Sequence, residues 1–166
     1  MVCDFTSTGI KDNTRNMISE SMWYLRGYNS SSVFSDQIYE YERTKGSVYS
    51  GRPTSWKGKI ALAYPSDYGY AADFGQCTQM LSDYNDSTCT SNNWMKSILG
   101  TSSYGWLLTP YSDNSQYAWY VGSSGFVDGN GGIYDALGVA PVLYLGSELE
   151  IKAGDGKSDS PYQLSA

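Results

Sequence analysis

Between Thr8 and Leu25 the apolar residues recur at helical spacing: Ile10, Met17, Ile18, Met22 and Leu25, with Ser21 on the same face. The pattern predicts a helix, with Thr8 or Asp12 as its cap and Gly27 as its stop. Residues 28–35 read as a Ser/Asn loop. Residues 39–49 are strand-like but broken from Arg43 to Gly46, which predicts a short strand and turn. Residues 59–64 predict a strand, ended by Pro65 and a turn at 66–69. Cys77, Met80, Leu81 and Tyr84 return to helical spacing and predict a short helix over 75–84. Residues 92–99 predict another, capped by Ser91 or Asn92 and stopped by Gly100.

From Trp106 onward the pattern changes to short strands and turns. Strands are predicted at 106–109, 117–121, 125–127, 138–145 and 149–151, with 121–125 as a hairpin connection. The stretch 139–145 is apolar on both faces, as a buried strand would be, although Pro141 conflicts with a central position. A polar turn covers 153–160, and 161–164 reads as a final edge strand. The expected core in this half is Trp106, Leu108, Val121, Val127, Val139, Val142, Leu143 and Leu145. Helices first and strands later predict an α+β fold. The length of 166 residues suits one domain, helical over 8–99 and strand-rich over 104–164.

Composition removes several classes of function. There is no histidine, so no Ser-His triad, imidazole base or imidazole metal ligand is available. Seventeen acids against eleven bases leave a net charge of −6, the wrong sign for a nucleic-acid binder. No apolar run is long enough to span a membrane, so no direct membrane insertion is expected. The opening MVCDFTSTG lacks the charged and apolar regions of a signal peptide. The chain is then either cytosolic or the exported part of a longer secreted parent, and the second reading is favoured here.

The charges are unevenly placed. Nine of the bases lie at or before Lys96, the next is Lys152, and the stretch between holds only acids. That stretch is dense in Tyr, Trp, Ser, Gly and Asn. Rigid amphipathic aromatics among small polar residues are the mixture that binding surfaces use; the same small residues also mark turns. The candidate ligand-binding residues are Tyr111, Asp113, Asn114, Gln116, Tyr117, Trp119 and Tyr120, followed by Asp128, Asn130, Tyr134 and Asp135 on the next loop. Strand alternation puts Tyr117, Trp119 and Val121 on one face and Ala118 and Tyr120 on the other. Trp119 is therefore either a contact residue or core.

Cys77 and Cys89 flank a hydrophilic loop and are expected to form a disulfide, with two separate buried thiols as the alternative; Cys3 is left over. Oxygen-rich groups occur at Asp83, Asn85 and Asp86, at Asp128 and Asn130, and at Asp155 and Asp159. None matches a calcium-loop spacing, so no metal or other cofactor is expected. The acids after Ser97 sit in turn-like text rather than as a catalytic pair, and no catalytic residue is assigned.

Three ordered pieces carry a family resemblance: Trp106-Leu-Leu-Thr-Pro110, Tyr120-Val-Gly-Ser-Ser-Gly-Phe-Val127 and Gly138-Val-Ala-Pro-Val-Leu-Tyr-Leu145. They resemble a domain of uncharacterised surface proteins from Firmicutes and related gut bacteria. Upstream, Met22-Trp-Tyr-Leu25, Tyr39-Glu-Tyr-Glu-Arg43 and Tyr64-Pro-Ser-Asp-Tyr-Gly-Tyr-Ala71 also look like those proteins, as does the stretch from Ile151 to Tyr162. One departure is Ala140, where the family pattern has arginine. The pattern is similar to the C-type-lectin-like fold of formylglycine-generating enzymes and of diversity-generating retroelement variable proteins. That resemblance implies two or three helices around a twisted, mostly antiparallel sheet with long loops. It also implies an extracellular or cell-surface location and a diversified stretch between Trp106 and Gly138. The expected function is non-catalytic binding of a protein or glycan ligand, or adhesion. The alternative is a structural pilin-like or fibre-tip subunit whose aromatic patch is an assembly interface.

Overall fold

A computed structural model describes residues 10–99 and 104–165. Cys3, the Thr8 cap and the Gly100 stop lie outside the described residues. The protein is α+β, with few and short helices. The chain forms two compact units. The smaller comprises Met1–Ser21, Lys57–Ile60 and Leu143–Ala166; the larger comprises Met22–Trp56 and Ala61–Val142.

The first helix, α1 (Asp12–Asn16), is five residues long. The helix expected over 8–25 therefore ends early. In the smaller unit the backbone after it pairs with a distant segment instead of with itself. Ser19 N–H donates to the Tyr144 carbonyl at 2.8 Å, and Gly146 N–H donates to the Met17 carbonyl at 2.9 Å. Ile18 is buried beside its bridge partner Leu145. The Lys59 ammonium donates to the Arg15 carbonyl at 3.1 Å. Lys57 pairs with Glu20 at 2.6 Å and holds that exposed carboxyl below its usual range. Further along the chain, β8 (Glu150–Ala153) and β9 (Gln163–Ser165) form an antiparallel ribbon.

After α1 the chain extends as β1 (Ser21–Tyr24), in which Trp23 points inward and Met22 and Tyr24 outward. The helical spacing that links Met22 and Leu25 to Met17, the C-cap of α1, was thus a coincidence. The larger unit continues with α2 (Ser35–Glu40), where residues 39–49 were expected to begin a strand. The Gln37 side chain turns back to accept the Phe34 N–H at 3.1 Å, a helix-start device. A π-helical turn, Tyr41–Lys45, follows directly, and Gly46 N–H reaches the Tyr41 carbonyl five residues back. Strands β2 (Ser55–Gly58) and β3 (Ile60–Leu62) lead to α3 (Pro65–Tyr70). Pro65 opens this helix rather than merely ending a strand, because its missing N–H is no loss at a first helical position. Asp67 accepts the Tyr64 N–H at 2.9 Å.

The helix expected over 75–84 is only a short 3₁₀ turn at Leu81–Asp83. Next come α4 (Ser87–Thr90) and α5 (Lys96–Leu99), the latter shorter than expected. Asp86 caps α4 by accepting the Thr88 N–H at 2.8 Å. Cys77 and Cys89 form a disulfide, both fully buried. Strands β4 (Gly105–Pro110), β5 (Tyr117–Val121) and β6 (Val127–Gly132) build an antiparallel sheet with β5 central. The three-residue strand β7 (Pro141–Leu143) follows.

The core of the larger unit gathers Val33, Ile38, Tyr68, Leu81, Tyr84 and the disulfide against Leu107, Trp119, Val121 and Val127. Several expected core positions are corrected. Along β4 the inward residues are Gly105, Leu107 and Thr109, so Trp106 and Leu108 face the other way and are half-buried. The stretch Trp-Leu-Leu is apolar on both faces, so hydropathy could not choose between two registers one residue apart. Val142 is half-buried, whereas Val139, Leu143 and Leu145 are exposed. The segment expected to be a strand buried on both faces is a regular strand over only three residues, with isolated bridges at Gly138 and Leu145 and its side chains largely outward. No helix among the described residues is long and apolar enough to cross a membrane.

Candidate functional site

A cleft of about 240 Å³ opens beside the three-stranded sheet, within the larger unit. Its half-buried lining includes Leu25, Leu108, Pro110 and Ala118. Tyr49, Arg52, Tyr111, Asn114, Tyr117 and Ile133 also line it. Three of the eleven candidate residues, Tyr111, Asn114 and Tyr117, therefore converge here.

Each is held by local structure. The Tyr111 hydroxyl donates to the Asn29 carbonyl at 2.5 Å, and its backbone bridges Tyr28. The Tyr111 and Tyr117 rings meet edge-on, 5.9 Å apart at 82°. This geometry suits the opposed charges of ring edge and face. Burial, then Asp113 and Asp128, raise the Tyr111 phenol above its ordinary pKa. Asn114 accepts the Gln116 N–H at 2.9 Å and closes the turn that leads into β5. Gly129 on β6 makes room for the Tyr111 and Trp119 rings. A Cβ there would lie 2.8 Å from Tyr111 Cδ2 and 3.0 Å from Trp119 Cε2. Gly129→Ala is expected to cost about 2 kcal/mol through overpacking and to shift the Tyr111 ring. Urea unfolding and the Tyr111 ring resonances check this; an unchanged midpoint and unshifted resonances would refute it.

Tyr49 and Arg52 come from a turn in which Arg52 N–H donates to the Tyr49 carbonyl at 3.0 Å. Gly51 within it has a φ of 82°, a conformation that glycine adopts without strain. The turn brings both side chains to the cleft. Arg52 is exposed, and among the described residues its guanidinium makes no ion pair. Sequence reading missed Tyr49, Arg52 and Ile133. The signal for the first two was weak: one aromatic and one base flanking a Ser-Gly turn, far along the chain from the tyrosine-rich stretch.

The other candidates are dispersed. Trp119 is a correction: at 0% exposure it lies beneath the surface, its indole N–H donating to the Tyr28 carbonyl at 3.3 Å. It supports the cleft rather than facing a ligand. Asp113 is exposed and accepts a hydrogen bond from the Asn29 amide at 3.1 Å. Tyr120 does not line the cleft and belongs to a separate aromatic row, with Tyr104 at 5.7 Å and Phe126 at 5.9 Å. Burial first, then Asp128, raise its phenol. Asp128 pairs with Tyr120 across the strands and accepts the Gly129 N–H at 2.6 Å. Gln116, Asn130 and Asp135 are exposed, and Tyr134 is 78% exposed. Tyr117, Tyr120 and Tyr134 thus retain accessible surface, while Trp119 does not.

A second missed feature is Glu42, in the π-helical turn and 0% exposed. One carboxylate oxygen accepts the Ser66 N–H at 3.1 Å and the Thr109 hydroxyl at 3.4 Å. The other accepts the Ser66 hydroxyl at 2.5 Å and the Arg43 guanidinium at 2.7 Å. Arg43 in turn lies 3.8 Å over the Tyr39 ring and 4.5 Å from the Tyr64 ring centre. Burial pushes the Glu42 carboxyl up to about 7, against the lowering effect of Ser66 and Arg43. Glu42 joins the turn to α3 through Ser66 and to β4 through Thr109, and lines neither the cleft nor the larger pocket described below.

Among the described residues no three acidic or cysteine side chains converge to hold a metal ion. Asp86 caps α4, and Asp155 pairs with Lys157 at 2.9 Å. No protein-family model, curated protein or solved structure matches the chain.

Proposed function

We propose that this protein is a non-catalytic binding domain of C-type-lectin-like type, displayed outside a bacterial cell, whose ligand sits in the tyrosine-lined cleft. The observation that carries the reading is the convergence of Tyr49, Tyr111 and Tyr117 with Arg52 and Asn114 on a half-buried apolar lining. Tyrosines supply large contact areas with few rotatable bonds. Arg52 and Asn114 supply directional hydrogen bonds. The α+β architecture, the antiparallel sheet and the buried disulfide support an extracellular domain of this type. The resemblance to diversified variable proteins adds a corollary: sequence variation among sibling proteins concentrates between Tyr111 and Leu137. The ligand is a protein or a glycan.

The test is a panel of immobilised glycans and extracellular proteins, probed with the wild type and with Tyr49→Ala. Tyr49 is exposed, so the variant keeps its melting temperature. A specific hit weakened by about tenfold to a hundredfold in the variant supports the proposal. Hits unaffected by the substitution overturn it. A second reading, assembly of a pilin-like or fibre-tip subunit, draws on the exposure of Ile133 and Tyr134 at the end of β6. Concentration-dependent self-association in sedimentation equilibrium, lost in Tyr49→Ala, would favour assembly over ligand binding.

A further inference from the structure

A larger pocket, of about 460 Å³, shares no lining residue with the tyrosine cleft. Its walls include Phe34, Tyr70 and Phe74, all three substantially exposed. The Tyr70 and Phe74 rings stand perpendicular, 5.5 Å apart at 87°, and so form two adjoining sides of a box. Asp36 and Gln37 come from the first turn of α2, and Thr78 and Gln79 from the segment just past Cys77. No lysine or arginine lines the pocket.

The framework is tied together. Ser35 and Tyr84 share a hydroxyl–hydroxyl hydrogen bond of 2.8 Å, joining α2 to the floor. The Tyr84 hydroxyl also lies 3.3 Å from the Gly69 carbonyl in α3. Cys77, another lining residue, is pinned by the disulfide.

The chemistry that remains on offer is narrow. The hydroxyls of Ser35 and Tyr84 are engaged with each other, and the Gln37 carbonyl is engaged with the Phe34 N–H. A hydroxyl-rich ligand is left the side chains of Thr78 and Gln79 on one wall and the Gln37 NH₂ on the other, while the three rings and Asp36 make up the rest of the exposed wall. An anion finds no cation and meets Asp36. The Asp36 carboxylate accepts the Gln37 N–H through Oδ1 and, among the described residues, makes no ion pair. It is close enough to Tyr70 to contribute to the raised pKa of that phenol, after burial. What the pocket presents is aromatic surface in a box with one negative charge.

We propose that this pocket binds an alkylammonium group, seated against the faces of Phe34, Tyr70 and Phe74 and neutralised by Asp36. Ring faces attract a cation through their negative quadrupole, most strongly for quaternary or methylated ammonium ions that shed water cheaply. The net charge of −6 favours the approach of a cation. The same chemistry occurs in free choline and in a trimethylated lysine side chain, and the experiment separates the two.

The experiment is a titration of uniformly labelled protein with choline, with a trimethyllysine peptide, and with dimethylbutanol, the neutral carbon isostere of choline. The readout is the backbone amide shifts of Gln37, Thr78 and Gln79. Saturable shifts with choline or the peptide, and none with the isostere, are expected. Tighter binding of choline identifies the small molecule as the source; tighter binding of the peptide identifies the modified side chain. Phe74→Ala is expected to weaken binding about tenfold and Asp36→Asn about threefold. Phe74 and Asp36 are both exposed, and melting curves verify that each variant folds. If Phe74→Ala fails to fold, Asp36→Asn and the isostere comparison decide the matter. Equal binding of choline and its isostere overturns the proposal, as does the absence of any shift at about 50 mM choline. Because the two concavities have no residue in common, this outcome is independent of the one for the tyrosine cleft.

Discussion

Replacing Glu42 by alanine is expected to lower the unfolding free energy by about 4 kcal/mol at pH 5, the scale of emptying a buried side-chain site and leaving its hydrogen-bond partners short of an acceptor. For a chain of this length that corresponds to a fall in melting temperature of roughly 10 °C. Two of the four groups facing the carboxyl, Ser66 N–H and the Arg43 guanidinium, can only donate. Alanine removes the acceptor of the buried Ser66 N–H and leaves the partly exposed Arg43 guanidinium only the Ser66 hydroxyl, at 3.3 Å. Glutamine does not repair this. Whichever way its amide lies, its NH₂ opposes either the Ser66 N–H or the Arg43 guanidinium. Protonated Glu42 avoids the conflict, because the hydroxyls of Ser66 and Thr109 can accept its proton.

The pH dependence follows from the direction of the shift. Glu42 is raised from 4.5 to about 7 on folding. Between those values the folded state holds a proton that the unfolded state has released, so the stability linked to Glu42 falls as pH rises. Its contribution is complete below about 4.5 and lost above about 7, a difference of about 3 kcal/mol. The gap between wild type and Glu42→Gln is therefore widest near pH 4.5 and narrows toward pH 8. Urea unfolding of both proteins across that range measures it. Parallel pH curves, or an alanine variant within about 1 kcal/mol of the wild type at pH 5, would contradict the account.

Loss of the Cys77–Cys89 bridge is the second large effect expected. The two cysteines are 12 residues apart in sequence. Closing a loop of that size removes conformational freedom from the unfolded chain worth about 3 kcal/mol. The double variant Cys77→Ala/Cys89→Ala is expected to unfold at correspondingly lower urea concentration, and reductant is expected to change it little. The wild type is expected to lose the same increment in reductant, once opening exposes the buried sulfurs. A reduced wild type, its thiols counted by titration, with an unchanged midpoint would show that the bridge adds nothing. Cys77 also lines the aromatic box, so opening the bridge is expected to weaken choline binding as well.

These features differ in how visible they were in the sequence. Strand β5 was legible because Tyr117, Trp119 and Val121 alternate with Ala118 and Tyr120, and its observed bounds coincide with those expected. The cysteine pairing was legible because a hydrophilic loop separates Cys77 from Cys89 in a chain that reads as exported. The register of β4 was not, because Trp106, Leu107 and Leu108 leave hydropathy equal on both faces; Thr109 points inward because Glu42 awaits it. The expected N-terminal helix failed for a different reason. Ser19 and Gly146 spend their amides on long-range partners, and tertiary pairing overrode a local periodicity. Glu42 looked like one charge in a Tyr-Glu-Tyr-Glu-Arg run, and only the π-helical turn brings it to the interior. Of the cleft, the portion on the tyrosine-rich stretch was foreseeable, whereas Tyr49 and Arg52 arrive through a turn about sixty positions away.

The sheet of β4, β5 and β6 lies wholly within the stretch between Lys96 and Lys152 that contains neither lysine nor arginine. Trypsin therefore has no cleavage point inside it, and the fragment 97–152 carries all three strands intact for mass spectrometry. Amine-reactive dyes and coupling resins have no lysine to attack there either. Attachment through the remaining lysines leaves the tyrosines of this sheet chemically untouched, a practical route to mounting the protein on a sensor chip.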